Sequence, residues 1–254
     1  MSTSAFYFPR EPSRPLAGNI LVVPIVSIGN ISQLASSLLI TSLELECIGR
    51  FDSRDLVPAV GGREDGLEGI TTPLELYGHE GFEGFNVVDR KEDFIAKLLA
   101  FITDSQFSAI LFLSGVDLSN RTDAQMITPT YHIVPPNSPA WKDTPLSTIS
   151  TLPIPAYTSP VSQNPLAPAH LESTIPFIPA GGLTRRILSS LPAAWDIPTA
   201  SILQFVTEGD NRSDAFLMAT AISKVLSLDT REWKQPLSWQ QGLFGTPQDQ
   251  TLYG

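Results

Sequence analysis

Apolar positions along the chain alternate between short continuous runs and stretches with helical spacing, the signature of strands interleaved with helices. Ile20-Leu21-Val22-Val23-Pro24-Ile25-Val26 is a continuous, mainly β-branched run and predicts a strand buried on both faces. Pro24 cannot donate to a ladder, so an irregularity or an edge is expected there. After Ser27-Ile28-Gly29-Asn30, the positions Ile31, Leu34, Ala35, Leu38 and Leu39 recur at helical spacing. Leu43 to Phe51 and Leu56 to Val60 look extended and end at Gly61-Gly62, completing a strand–helix–strand unit that argues for a parallel sheet. Leu74 to Tyr77 and Phe82 to Val88 predict a hairpin turning at Gly78 to Gly81. Lys91 to Ile102 carries Phe94, Ile95, Leu98, Leu99 and Ile102 on one helical face and leads into a buried strand, Ala109 to Leu113. A short helix after Gly181-Gly182, a strand from Ala200 to Val206 and a helix from Asn211 to Leu228 close the pattern. The expected fold is a single α/β domain with a mostly parallel sheet flanked by helices.

Twelve of the 22 prolines lie between Thr128 and Pro179, where the helical and strand periods lapse. Residues 135–170 are therefore expected to form an inserted loop on the surface, since they lack the periodic apolar residues of a separate core. The chain divides into an N-terminal extension (1–14), the α/β domain (15–245) and a flexible tail (246–254).

Composition narrows the function. A formal charge of -10 leaves no general basic surface, which argues against nucleic acid and anionic membranes as partners. No apolar run reaches membrane-spanning length, and Met1 to Pro15 has no apolar signal segment. The single cysteine, Cys47, sits in an apolar stretch and is expected to be a small buried hydrophobe in a reducing compartment. The protein is expected to be soluble and intracellular.

Candidate chemistry is sparse. Ser27-Ile28-Gly29-Asn30 ends a buried strand, where open α/β sheets bind ligands, but it lacks the spaced glycines of a dinucleotide fingerprint. Helix capping by Asn30 or Ser32 is the preferred interpretation. Gly181-Gly182 before Arg185-Arg186 offers either a phosphate cradle or, as preferred, a tight turn beside solvated arginines. Glu208, Asp210 and Asp214 have spacing for a hard cation, with acidic residues at a helix start as the preferred alternative. His79, His132 and His170 have no neighbours at metal-ligand spacing, so neither a metal nor a cofactor is expected. At the C-terminus, Leu252, Tyr253 and Gly254 place an apolar side chain, a tyrosine and a carboxylate after a polar stretch, a combination suited to insertion in a partner's pocket.

Several separated motifs occur together: Leu16-Ala17-Gly18-Asn19, Pro24 to Ala35, Ile48-Gly49 and Leu56 to Gly61; then Gly181 to Thr184, Leu203 to Asn211 with Asp214-Ala215, and Trp233-Lys234 through Ser238-Trp239 to Leu243-Phe244-Gly245. In this order they resemble the proteasome assembly chaperone 2 family. The resemblance implies a non-catalytic, cytoplasmic or nuclear chaperone with a three-layer αβα fold similar to nucleoside phosphorylases. It further implies pairing with proteasome assembly chaperone 1 and binding to the proteasome α-ring during core-particle assembly. In that family setting a terminal hydrophobic residue, tyrosine and any residue enter a pocket between α subunits, where a lysine meets the carboxylate. Leu252, Tyr253 and Gly254 match position by position and are the partner-binding residues expected here. The alternative implied by the fold is a nucleoside-phosphorylase-like or hydrolytic enzyme with a site near Ser27 to Asn30.

Overall fold

The longest buried strands are those marked by the apolar runs. The structure, a computed structural model, describes residues 6–52, 61–62, 70–72, 74–79, 82–85, 91–161, 174–230 and 232–241. Its strands are β1 (Tyr7–Pro9), β2 (Ile20–Pro24), β3 (Glu46–Phe51), β4 (Gly61–Gly62), β5 (Ile70–Thr71), β6 (Glu75–His79), β7 (Phe82–Phe85), β8 (Ala109–Asp117), β9 (Thr130–Ile133) and β10 (Thr199–Val206). Its α-helices are α1 (Ile31–Ser42), α2 (Lys91–Asp104), α3 (Gly182–Ser189) and α4 (Arg212–Leu226).

Among the described residues, eight strands form one sheet in the order β1-β3-β6-β7-β2-β8-β10-β9, while β4 and β5 pair separately. The α/β class holds. The expected parallel pairing is found in the central four strands, β7-β2-β8-β10. Both flanks correct the expectation of a mostly parallel sheet, because β1-β3-β6-β7 and β10-β9 pair antiparallel. The predicted β2-α1-β3 unit exists, and β3 runs in the direction of β2, but the β6–β7 hairpin lies between those strands and supplies the antiparallel pairs. Residues Leu56 to Val60 lie outside the described residues.

Side chains of β8 alternate between two cores. Ala109, Leu111 and Leu113 join α1 and α4, whereas Ile110, Phe112 and Val116 join α2 and α3. A strand buried on both faces must place apolar residues at consecutive positions, which is why the runs are continuous. Pro24 fits inside this sheet because the Ile25 N–H donates to Leu113 O at 2.9 Å, turning the Pro24 nitrogen away from β8. On that other side, β7 pairing has already ended at Val22 opposite Gly84.

Both sheet edges are blunted. Arg10 N–H donates to Ile48 O, so the neighbouring Pro9 nitrogen faces outward and offers no donor to a further strand. At the opposite edge, His132 N–H donates to Pro155 O and His132 O accepts from Tyr157 N–H. The surface excursion expected for residues 135–170 is, up to Val161, packed into the molecule: Leu146, Ile149, Ile154 and Tyr157 are buried. Residues 162–170 of that stretch lie outside the described residues.

An aromatic cluster ties the β1–β3 flank to α2. Phe101 meets Phe51 edge-on at 4.9 Å, Tyr7 at 5.0 Å and Phe107 at 5.9 Å between ring centroids. Replacing this ring removes apolar contact from three elements together. Phe101→Ala should lower the unfolding free energy by about 3–5 kcal/mol, read as a reduced denaturant midpoint; a change below about 1 kcal/mol would contradict this packing role.

Candidate functional site

Three parallel strands, β2, β8 and β10, point their carboxyl ends to one side of the sheet, β2 stopping opposite Leu113 and the other two running on to Asp117 and Val206, and this is the location at which open α/β sheets bind small ligands. Here the chain fills it. Ser27 Oγ accepts from Gly115 N–H at 2.7 Å and donates to Ile25 O at 3.3 Å. A Cβ on Gly115 would lie 2.8 Å from Ile28 O and 2.9 Å from the Ile31 side chain, so the strand end and the Ile28 turn pack backbone to backbone. Gly29 has φ of 64°, and a Cβ there would stand 2.3 Å from Asn211 Nδ2. Only glycine meets both demands.

The buried Asn211 amide knits this turn to the end of β10. Its Nδ2 donates toward Thr207 O at 2.9 Å and toward Gly29 O and Gly209 O at 3.3 Å each. Glu208 Oε1 lies 3.5 Å from the Gly29 N–H, so the amide that would greet an anion already faces a carboxylate. On the other face of β8, Thr184 Oγ1 donates to Ser114 Oγ at 2.8 Å. The sequence-predicted helix cap is corrected: Asn30 occupies the cap position of α1 in a left-handed conformation, but its side chain makes no capping bond, and Ser32 lies inside the helix.

The other sequence candidates do not converge. Asp210 is held by Arg212, whose hydrogen bonds keep the carboxyl below its ordinary range, and it also accepts from Arg212 N–H at 3.1 Å. Asp214 stands in the first turn of α4, where burial pushes its carboxyl up. Among the described residues no three metal-ligating side chains gather. Gly181 makes the tight turn, its N–H donating to Ile178 O at 2.9 Å. Arg185 Nε donates to Ile175 O at 3.2 Å, while Arg186 is exposed, so the paired arginines separate. His132 Nδ1 lies 2.7 Å from Ile154 O, a structural bond beneath the proline-rich segment. The His79 side chain and His170 lie outside the described residues. Cys47 is buried, and desolvation together with the Glu75 carboxylate pushes its thiol up, which disfavours the reactive thiolate.

The feature not read as an element in the sequence is a C-terminal arm, residues 232–241. It begins beside the end of α1, where Lys234 N–H donates to Ser42 Oγ at 2.9 Å and Lys234 Nζ pairs with Glu44. It ends beside the start of α4, where Trp239 O accepts from Arg212 Nη1 at 3.2 Å. Phe216 meets Trp233 at 6.4 Å and Trp239 at 6.0 Å, both edge-on. The arm therefore climbs the α1–α4 face toward the carboxyl ends of the strands, and Trp239 is buried in that core. The available signal was Trp233, Leu237 and Trp239 in an otherwise polar stretch, too few apolar positions to mark a strand or a helix. Leu252, Tyr253 and Gly254 lie outside the described residues.

Comparison with known proteins gives a consistent picture. The model of the PAC2 family matches residues 21–230. Proteasome assembly chaperone 2 of Xenopus laevis is 28% identical over 89% of this chain and 91% of its own. The Homo sapiens protein of the same name is 27% identical over 93% of this chain and 95% of its own. Among solved structures, a Thermoplasma acidophilum protein of unknown function has a TM-score of 0.61 at 14% identity, covering 88% of this chain and 81% of that one. Pyrococcus furiosus PbaA, an archaeal homolog of proteasome-assembly chaperone, has a TM-score of 0.57 at 14% identity, covering 85% of each chain. These structural likenesses establish a shared fold.

The Asn211 bridge gives a two-variant test. Asn211→Ala leaves the buried Gly29 carbonyl and the part-buried Thr207 and Gly209 carbonyls without this donor and should cost about 1–3 kcal/mol. Asn211→Asp places a charge against those carbonyls and should cost more at neutral pH. Such a carboxyl would have a raised folded-state pKa, so its excess penalty is present above the unfolded value near 4 and disappears below it. Denaturant unfolding across pH measures both, and equal stability of Asn211→Asp and the parent chain at pH 7 would contradict the bridge.

Proposed function

This chain belongs to the PAC2 family, and we propose that it is a proteasome assembly chaperone that pairs with proteasome assembly chaperone 1 and binds the α-ring during core-particle assembly. The observation that carries this is the family match across residues 21–230, joined by relatives named proteasome assembly chaperone 2 over most of both lengths. The body serves as a scaffold, and Leu252, Tyr253 and Gly254 enter a pocket between α subunits. The tyrosine fills the pocket with few rotors to immobilise, and the terminal carboxylate meets a basic side chain. The assembly takes place in the cytoplasm or nucleus.

Geometry supports the tail's part in this. Trp239 is fixed at the carboxyl end of the sheet, and residues 242–254 follow it. Those residues span at most about 45 Å when extended, enough to cross from the body to a neighbouring pocket. One tripeptide buries too little area to hold a ring, so a second tail from the partner chaperone supplies the other attachment point. The enzymatic alternative needs a cleft at Ser27 to Asn30; Asn211, Ile28 and Glu208 occupy that position, favouring the non-catalytic role.

Deleting Leu252 to Gly254 should abolish or reduce α-ring binding by at least tenfold, the loss expected from removing one arm of a bivalent attachment, while heterodimer formation is unchanged. Co-purification with each partner measures the two effects separately. Unchanged ring binding by the truncated heterodimer would overturn the tail's role.

A further inference from the structure

Arg212 is an unfavourable residue for its position. It opens α4, where the helix dipole presents partial positive charge and disfavours a cation. The chain compensates by placing Asp210 against it. Arg212 Nε donates to Asp210 Oδ1 at 2.9 Å and to Oδ2 at 3.1 Å, and Nη2 also pairs with Oδ2. That fork leaves Nη1 directed at Trp239 O, 3.2 Å away. A planar guanidinium can hold a carboxylate on one edge and a carbonyl on another; a lysine ammonium lacks that rigid geometry.

The arm's other end is secured independently. Ser42 Oγ accepts from Lys234 N–H and donates to Lys234 O at 3.4 Å, beside the Lys234–Glu44 ion pair. Between the two ends, Trp239 N–H closes a turn onto Pro236 O at 3.0 Å, and the Trp239 ring is 3% exposed. The upper end thus rests on two holds, the Trp239 ring buried in the α1–α4 core and the Arg212 hydrogen bond to its carbonyl, and loss of the second weakens that end while Lys234 stays tethered.

We propose that Arg212 is a positioning residue for the C-terminal tail: by clamping Trp239 to the start of α4, it makes the tail depart from the carboxyl end of the sheet. This rests on the tail docking proposed above and adds what directs it. With Trp239 held, the last fixed point of the arm is at the start of α4; whenever Trp239 comes away, the last fixed point is Lys234, at the opposite end of α1. Longer free length dilutes the tail about its pocket, and the displaced origin biases it away from the ring. Asp210 has the second role of neutralising and orienting the guanidinium.

The test uses the full chain in its heterodimer with Arg212→Ala, Arg212→Lys, the truncation lacking Leu252 to Gly254, and Ile222→Val as a core-destabilised control. Amide hydrogen exchange across residues 236–241, read by mass spectrometry, reports release of the arm's upper end, and binding to proteasome α-rings reports tail delivery. Arg212→Ala should speed that exchange about tenfold and weaken ring binding about threefold, Arg212→Lys should fall between it and the parent, and Ile222→Val should change neither. Unchanged exchange in Arg212→Ala would overturn the clamp. Faster exchange with parental ring binding would overturn the positioning role while leaving tail docking intact, provided that the truncation still loses the ring. Parental ring binding by the truncation would instead remove the tail docking on which the inference stands.

Discussion

Burial of β8 on both faces is the constraint from which the rest of the arrangement follows. Ala109 through Leu113 and Val116 are all fully buried, so this strand needs a hydrogen-bonding neighbour on each side and a helix layer on each face. β2 and β10 supply the ladders; α1 with α4, and α2 with α3, supply the layers. Because β2, β8 and β10 run in one direction, their carboxyl ends lie on one side of the sheet, with β2 stopping opposite Leu113 and short of the other two. That step is where many α/β proteins have their crevice, and here Gly29, Gly115 and Asn211 close it.

The same constraint explains what could be read from sequence. Double-sided burial requires consecutive apolar residues, so Ile20 to Val23, Ala109 to Leu113 and Ala200 to Val206 are conspicuous, and the helices that cover them carry the 3.6-residue stripe. β8 continues to Asp117 beyond its apolar run because Ser114 is hydrogen-bonded to Thr184 and Gly115 lies beneath Ile28; neither partner is near in sequence. The mixed sheet was hidden for a related reason, since no local pattern says that the β6–β7 hairpin inserts between β2 and β3.

Irregular segments were less legible because their apolar residues obey no period. Leu146, Ile149, Ile154 and Tyr157 in the proline-rich stretch each find a place in a core organised by other elements. Trp233 and Trp239 behave alike, reaching Phe216 on α4 from an arm without a strand or α-helix of its own. The Ser27 to Asn30 turn was visible as a place but not as a closed one, because Asn211 and Glu208 come from the far end of the chain. Among the described residues, that crevice is filled by the chain's own groups, and the arm ends beside it.

Docking of the terminal Leu252-Tyr253-Gly254 between proteasome α subunits, as proposed, is tested by site-specific photo-crosslinking from position 253 in the chaperone heterodimer bound to α-rings, followed by mapping of the crosslinked peptides. Crosslinks that line a pocket between two adjacent α subunits are the expected result. Efficient binding with crosslinks confined to the chaperones themselves would contradict it.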